Sequence, residues 1–263
     1  MSTTIMTFVN NYVPPPPKAP VTLPDPSKPY DINFCFPIKD LETDRVKVTA
    51  FIPHLHANAL FNAIVANTEV MRYMPFSTPA TLEEFEIFCE ATFRLDSGRC
   101  MFVILDKAKL ALGDETGAKV SDALMGTLSY TNASRELSTI EPGFIIILPQ
   151  FQRTHVNTHA VGLLMQYALN KPSDGGLGLR RCQWQAHASN LPSARAAERL
   201  GFKSEGILRW HRALPAERES SAPFRADDSL GLPGRHTAML SICWDDWENG
   251  GKDNLQRLMD RKA

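Results

Sequence analysis

The chain has 263 residues, 43% hydrophobic and 22% charged, which excludes a wholly disordered chain or a coiled coil and allows one large domain with appendages. Twenty-eight basic against 29 acidic residues leave a net charge of −1, so there is no bulk attraction toward nucleic acid or membrane, and neither is expected as a partner. No uninterrupted apolar run reaches the ~18 residues that a membrane span needs.

Residues 1–37 read as a proline-rich arm. Nine of the 19 prolines lie there, which forbids helix and favours extended, polyproline-like chain. The aromatics Phe8, Tyr12, Tyr30, Phe34 and Phe36 are many for a disordered tail. They favour an arm docked on the domain over a PxxP ligand for a partner. The N-terminus lacks a basic segment followed by an apolar one, so no secretion signal is expected and the cytoplasm is the expected location. The five cysteines, Cys35, Cys89, Cys100, Cys182 and Cys243, are odd in number, scattered, and without a Cys-x-x-Cys. Reduced, mostly buried thiols are expected, not a disulfide framework or a zinc ribbon.

An α/β domain is expected over 38–248, with 249–263 as a C-terminal tail. The stretch 45–51 alternates like a half-buried strand. A helix is expected over 56–73, with Leu60, Ile64 and Val65 on one face. Thr81-x-x-Glu84 is a capping box opening a second helix that carries Phe85, Phe88, Cys89 and Thr92. Strands over 101–105 and 123–130 are joined by a polar hairpin, 106–122. A strand over 138–148 ends in Phe144–Leu148, an apolar run that implies burial on both faces. Pro149 stops it, a short loop follows, and a helix presents Ala160, Leu163, Leu164, Tyr167 and Ala168. The strand 181–187 leads to a helix with Pro192 near its start and Gly201 as its C-terminal cap. Strands 202–211 and 237–244, separated by the polar insert 215–236, complete a mixed sheet with helices on its faces.

Two stretches carry chemistry. In the first, Glu141 to Ala160, a buried strand passes through a tight loop directly into a helix. The free N–H groups of that helix and its dipole make an anion site suited to a diphosphate, although an ordinary strand–loop–helix connection has the same pattern. The second is the block Asn190-Leu-Pro-Ser-Ala-Arg-Ala-Ala-Glu-Arg-Leu-Gly-Phe202. Its Asn190, Ser193, Arg195, Glu198, Leu200, Gly201 and Phe202 resemble, without a mismatch, a pattern of the GNAT superfamily of acyl-CoA-dependent N-acetyltransferases in its RimJ/RimL-like branch. Glu141-x-Gly143, Gln152-Arg153-Thr154, Thr158-x-Ala160 and Arg235-His-Thr-Ala-Met239 are similar to the same branch. The likeness spans roughly residues 36–248.

The resemblance implies a GNAT acyl-CoA N-acyltransferase fold. Acetyl-CoA is the implied cosubstrate, without a metal, held in a V-shaped opening between the strands over 138–148 and 181–187. Its pyrophosphate would rest on the loop Gln152, Arg153, Thr154, His155, Val156, Asn157 and Thr158. Its pantetheine would pair with the strand edge at Ile146, Ile147 and Leu148, and Asn190, Ser193 and Arg195 would contribute from the second block. A main-chain N–H near Ile147 or Leu148 would stabilise the developing oxyanion. A primary amine, either a small metabolite or xenobiotic or a protein N-terminus, would attack the thioester directly. An alkyl amine is protonated at neutral pH, so a base is needed, and the resemblance puts Glu141 there; a surface or ion-paired carboxylate is the other reading. Many superfamily members use a tyrosine as the acid, where this chain has Ala197. Ser193 is the substitute candidate, as acid or as a hydrogen-bond donor to sulfur, and a serine satisfying its own helix start is the other reading.

His155 and Asn157 stand where the superfamily usually has glycines; Arg153 or His155 would then add a charge contact. His54-x-His56 and His155-x-x-x-His159 lack a third ligand, so no metal is expected. No Gly-x-Ser-x-Gly elbow supports a serine triad. Glu217, Glu219, Asp227 and Asp228 in the insert are placed either to select a cationic amine or to form a solvated loop. The expected protein is an acetyl-CoA-dependent N-acetyltransferase, monomer or homodimer. The alternatives are a non-catalytic acyl-CoA-binding protein or an interaction module acting through the arm.

Overall fold

The computed structural model describes residues 8–16, 19–110, 117–225 and 227–261. Residues 1–7 and 17–18 of the arm, 111–116 of the 106–122 connection, position 226 of the insert and the last two residues lie outside them.

The chain builds one eight-stranded mixed sheet whose strands lie side by side in chain order, except that the last strand of the chain is inserted before the seventh. A two-residue strand, β1 (Leu41–Glu42), turns directly into β2 (Val46–Ala50). Helix α1 (Pro53–Val65) begins on Pro53, whose missing N–H costs nothing in a first turn. The helix expected over 56–73 therefore starts earlier and ends sooner. Asn67 leaves helical backbone at φ −140° and its amide donates to Ala63 O, after which only a 3₁₀ turn, Thr68–Met71, follows. Half of the capping box is present: Thr81 Oγ1 accepts from Glu84 N, while Glu84 Oε2 accepts from Ala80 N, one residue before the cap, opening α2 (Leu82–Cys89).

β3 (Cys100–Asp106) is buried on both faces. Cys100, Phe102 and Ile104 join one core, while Met101, Val103 and Leu105 join the other, as the period of two in a strand requires. The connection read as a plain hairpin over 106–122 contains α3 (Gly117–Ala123), which runs straight into β4 (Leu124–Ser134). Val120 and Ala123 are fully buried there, two apolar anchors too few to show as a periodic pattern. β5 (Thr139–Ile147) and α4 (Val156–Leu169) follow; then come β6 (Arg181–His187), α5 (Leu191–Arg199), β7 (Lys203–Ala213) and β8 (Gly234–Cys243). Gly201 takes φ +105° just past α5, the left-handed cap expected of it.

The residues read as a C-terminal tail carry more helix. After a single turn, α6 (Trp244–Asp246), comes α7 (Lys252–Met259), whose Leu255, Leu258 and Met259 lie against α4 in the core. A Cβ on Gly162 of α4 would meet Met259 Sδ at 2.8 Å, so the two helices approach closely. Within the arm, Ile32, Phe34 and Phe36 pack against the main core and Tyr30 donates to the buried Glu90 at 2.7 Å. Phe8, Val9, Tyr12 and Val13 stand exposed. All five cysteines are unpaired, and Cys89, Cys100 and Cys182 are buried.

Leu255 is fully buried at the α4–α7 contact. Leu255→Ala is expected to destabilise the chain by about 2–5 kcal/mol in urea unfolding. A loss under about 1 kcal/mol, the range of an exposed substitution, would contradict the docking of α7.

Candidate active site

The site is set by how two strands part. β5 and β6 run parallel, yet only Thr139–Arg181 and Ile140–Cys182 are paired. Beyond them β5 has Pro142, which offers no N–H, and a bulge in which three residues of β5 span two of β4, with Phe144 at φ +48°. β6 keeps its pairing to β8 as far as His187–Thr237. The facing edges therefore separate into a V. Its wide end opens on a cavity of about 340 Å³, lined by Glu141, Phe144, Trp184, Asn190 and Ser193 among others.

Glu141 sits at the base of the V. It is buried, and its Oε2 accepts from Asn132 Nδ2 at 2.9 Å and from Gln183 Nε2 at 2.8 Å, the latter spanning the opening. It is not a surface carboxylate, and no cation among the described residues lies within ion-pair distance of it. Oε1 has no donor among the described residues and is left for the cavity that Glu141 lines. Burial pushes the carboxyl above the ordinary 4.5, against the two amide donors and the more distant charges of Arg212 and Arg235.

Across the opening, Asn190 caps α5 by accepting Ser193 N at 3.2 Å on Oδ1, so its Nδ2 donors remain. Asn190, not Ser193, satisfies this helix start. Ser193 Oγ instead accepts Trp184 Nε1–H at 3.0 Å, which leaves the hydroxyl proton to be donated elsewhere. Arg195 is exposed on α5 and does not line the cavity.

Along β5, Leu148 N–H donates to Met125 O at 3.0 Å and is consumed by the sheet. Alternation turns the Ile147 N–H the other way, into the V, while Ile147 O accepts from Gln152 Nε2 at 3.0 Å. The side chains of Ile146 and Leu148 belong to one core and that of Ile147 to the other. Of the two amides expected to face a developing oxyanion, Ile147 has the orientation.

The loop into α4 is ordered by its own hydroxyls. Thr154 Oγ1 donates to Phe151 O and accepts Val156 N. Arg153 takes the left-handed φ of +60° and is exposed, while His155 is helical at φ −66°, so the glycine absent at 155 is not needed for backbone shape. The N–H groups of Asn157 and Thr158 have no acceptor among the described residues, leaving them at the positive end of the helix dipole. His155 does not add the charge expected of it: burial and the neighbouring Arg45 lower its pKa, and its Nδ1 accepts from Arg45 at 2.9 Å. Two cations not foreseen stand nearby, Arg45 and Arg199, the latter reaching Thr158 Oγ1 at 3.4 Å. Neither had a signal in local sequence, since each arrives from more than 40 residues away.

The other candidates are otherwise engaged. Both ring nitrogens of His159 are bonded, to Thr43 and to Met259 O. His187 lines the cavity but accepts Ser189 N and meets Glu219 O. None of the insert carboxylates lines the cavity: Glu219 pairs with Arg72, Asp227 with Arg225, and Asp228 caps its own turn. No helix of the described residues is long and apolar enough to cross a membrane.

The fold has counterparts among known proteins. Residues 45–203 match the model of the acetyltransferase (GNAT) domain. No curated protein matches the chain in sequence. Among solved structures, a GCN5-related N-acetyltransferase from Brucella melitensis shares 26% identity at a TM-score of 0.64, over 84% of this chain and 85% of that one. A protein described as a GNAT-family acetyltransferase from Chromobacterium violaceum ATCC 12472 shares 24% at 0.65, over 89% and 99%. A spermidine N-acetyltransferase chimera from Vibrio cholerae shares 16% at 0.54, over 78% and 98%. The two at lower identity carry the fold only. A GNAT domain implies acetyl-CoA as cosubstrate, and the free amides of Ile147, Asn157 and Thr158 fit it: one edge donor inside the V and an anion site at its rim. Family and fold together make the protein an acyltransferase and do not favour the non-catalytic alternative. The chain belongs to the GNAT acetyltransferase family.

Proposed function

We propose that the protein acetylates a primary amine by direct attack on acetyl-CoA, as a cytoplasmic enzyme of the RimJ/RimL-like branch. The observation that carries the reading is Glu141: a buried carboxylate fixed through Oε2, with Oε1 free toward the cavity. The uninterrupted Asn190–Phe202 pattern supports the branch, and five unpaired cysteines support a reducing compartment.

Bound acetyl-CoA supplies the activated acetyl thioester. The chain's own groups do the rest. Asn157 and Thr158 N–H, with Arg199 beside them, hold the pyrophosphate, and Asn190 Nδ2 donates toward the pantetheine. Ile147 N–H, turned into the V, donates to the carbonyl oxygen as negative charge grows on it. Glu141 Oε1 takes the proton of the incoming ammonium, directly or through one water. Its raised pKa brings it nearer to the amine and makes it a better base than an exposed glutamate. As the C–N bond forms and the C–S bond breaks, Ser193 Oγ–H, with one lone pair already occupied by Trp184, hydrogen-bonds the departing thiolate, and the second proton lost by the nitrogen as it becomes an amide passes to that sulfur.

Glu141→Gln keeps the shape and the amide contacts but removes the base. Turnover should fall about 100-fold or more, with acetyl-CoA affinity unchanged by calorimetry. Near-parental turnover would remove Glu141 from the reaction.

The pH profile follows from the same group. The base must be deprotonated, and its folded pKa lies above 4.5. kcat/KM should therefore fall on acidification with a midpoint above that value, and Glu141→Gln should lose this limb.

Arg199→Ala tests the anion site. It should weaken acetyl-CoA binding about three- to tenfold, the effect of one partly solvated charge-assisted hydrogen bond. Unchanged affinity would move the pyrophosphate away from α4.

A further inference from the structure

The cavity at the mouth of the V is more basic than the chain as a whole. Three arginines line it, Arg99, Arg212 and Arg235, against the single carboxylate of Glu141. Arg99 is committed to Asp96, its Nε 3.0 Å from Oδ2. Arg212 reaches Gln185 Oε1 with one nitrogen at 3.5 Å. Arg235 differs from both. It is 6% exposed, its Nε is buried with no acceptor, and no carboxylate among the described residues lies within ion-pair distance of it. Burial and then the Arg212 charge push its pKa down to about 10, so it still holds its proton at neutral pH. A permanent charge is thus kept where water cannot solvate it fully and no carboxylate among the described residues pairs with it.

The backbone builds this arrangement. Arg212 and Arg235 are direct cross-strand partners, a like-charge placement that by itself weakens a sheet. They come opposite each other because β7 bulges: its register to β8 shifts between Leu208 and Arg212, with Trp210 at φ +51°. Bulges beside cavities re-aim side chains.

We infer that the acceptor is an amine that also carries a carboxylate, received by the guanidinium groups of Arg235 and Arg212 while Glu141 faces the amine. The inference rests on the acetyl-transfer reading above and deepens it. A guanidinium offers a carboxylate two parallel N–H donors, and the pair supplies the counter-ion that Arg235 lacks. Glu141 is close enough to both arginines to feel their charges. The cavity, about 340 Å³, admits a free amino acid or the first residues of an acidic peptide. A diamine or polyamine would bring its second cation against two arginines, and the site rejects it.

The test measures acetyl-CoA-dependent thiol release by the full chain. The acceptors are free L-amino acids, peptides beginning with Asp or Glu, the carboxamide counterpart of each, and diamines. Carboxylate-bearing acceptors should exceed their carboxamides by at least about tenfold in kcat/KM, with free amino acids and peptides separating the two sources. Arg235→Gln should remove about 10- to 100-fold of kcat/KM for the best acceptor. Calorimetry should show its N-acetylated product binding more weakly by a similar factor in the presence of CoA, with acetyl-CoA affinity unchanged. If Arg235→Gln melts early, Arg212→Gln, on an exposed residue, carries the same comparison. Carboxamides or diamines acetylated as well as carboxylates, or arginine variants without effect, overturn the inference. Turnover of none of these acceptors, with acetyl-CoA still bound, overturns amine acetylation itself.

Discussion

Two strands that pair for only two residues and then part are the constraint on which the rest of the site depends. Pro142 and the bulge at Phe144 prevent β5 from continuing its ladder to β6, so an edge that would ordinarily be hydrogen-bonded is left with donors facing an opening. An unpaired edge inside a sheet is unfavourable unless something takes the place of the missing strand. A thin, extended chain ending in a reactive group is one such occupant, and pantetheine has that form. The same parting leaves room for Glu141 to sit buried at the base of the V, tied across it by Gln183. Closing the V with regular pairing would remove the donor, the base and the cavity together.

Around that opening, polar groups are divided between holding and acting. One oxygen of Glu141 is fixed and one is free; Asn190 caps with its carbonyl and keeps its amide; Ser193 accepts from Trp184 and keeps its proton. In each case the sheet or helix immobilises one end of a side chain so that the other is pre-aimed, which is how a site avoids reorganising during reaction. Arg235 is the exception, aimed but not satisfied. Its missing partner is therefore sought outside the protein.

Much of the fold is legible in the sequence because the strands and long helices have strong apolar patterns. Met101–Leu105 reads as a strand and Phe144–Leu148 as the end of one buried on both faces, and α4 carries a nearly continuous apolar surface. The short elements are not legible. β1 is two residues long, and α3 is held by little more than Val120 and Ala123. α7 is a different case, since Leu255, Leu258 and Met259 have helical spacing that a longer window along the C-terminus would register. For the site, Glu141, Asn190 and Ser193 are legible from motifs that also position them. Arg199 and Arg45 are not, because they approach the loop from distant elements. Arg235 stands within a legible motif, but only the β7–β8 register reveals that it faces Arg212 across the cavity. The acidic insert shows the converse: in sequence its carboxylates fit either a cationic acceptor or a solvated loop, and in space Glu219 and Asp227 pair with arginines while Asp228 caps its own turn.

The central claim is that the parted strands and the start of α4 together receive acetyl-CoA. Amide hydrogen exchange of the intact chain, with and without acetyl-CoA, tests it at the residues concerned. The account predicts that added acetyl-CoA slows exchange at Ile147, Asn157 and Thr158, whose N–H groups are otherwise free, and leaves Leu148, already bonded to Met125, unchanged. Protection confined to other parts of the surface, or none at saturating ligand, would contradict it.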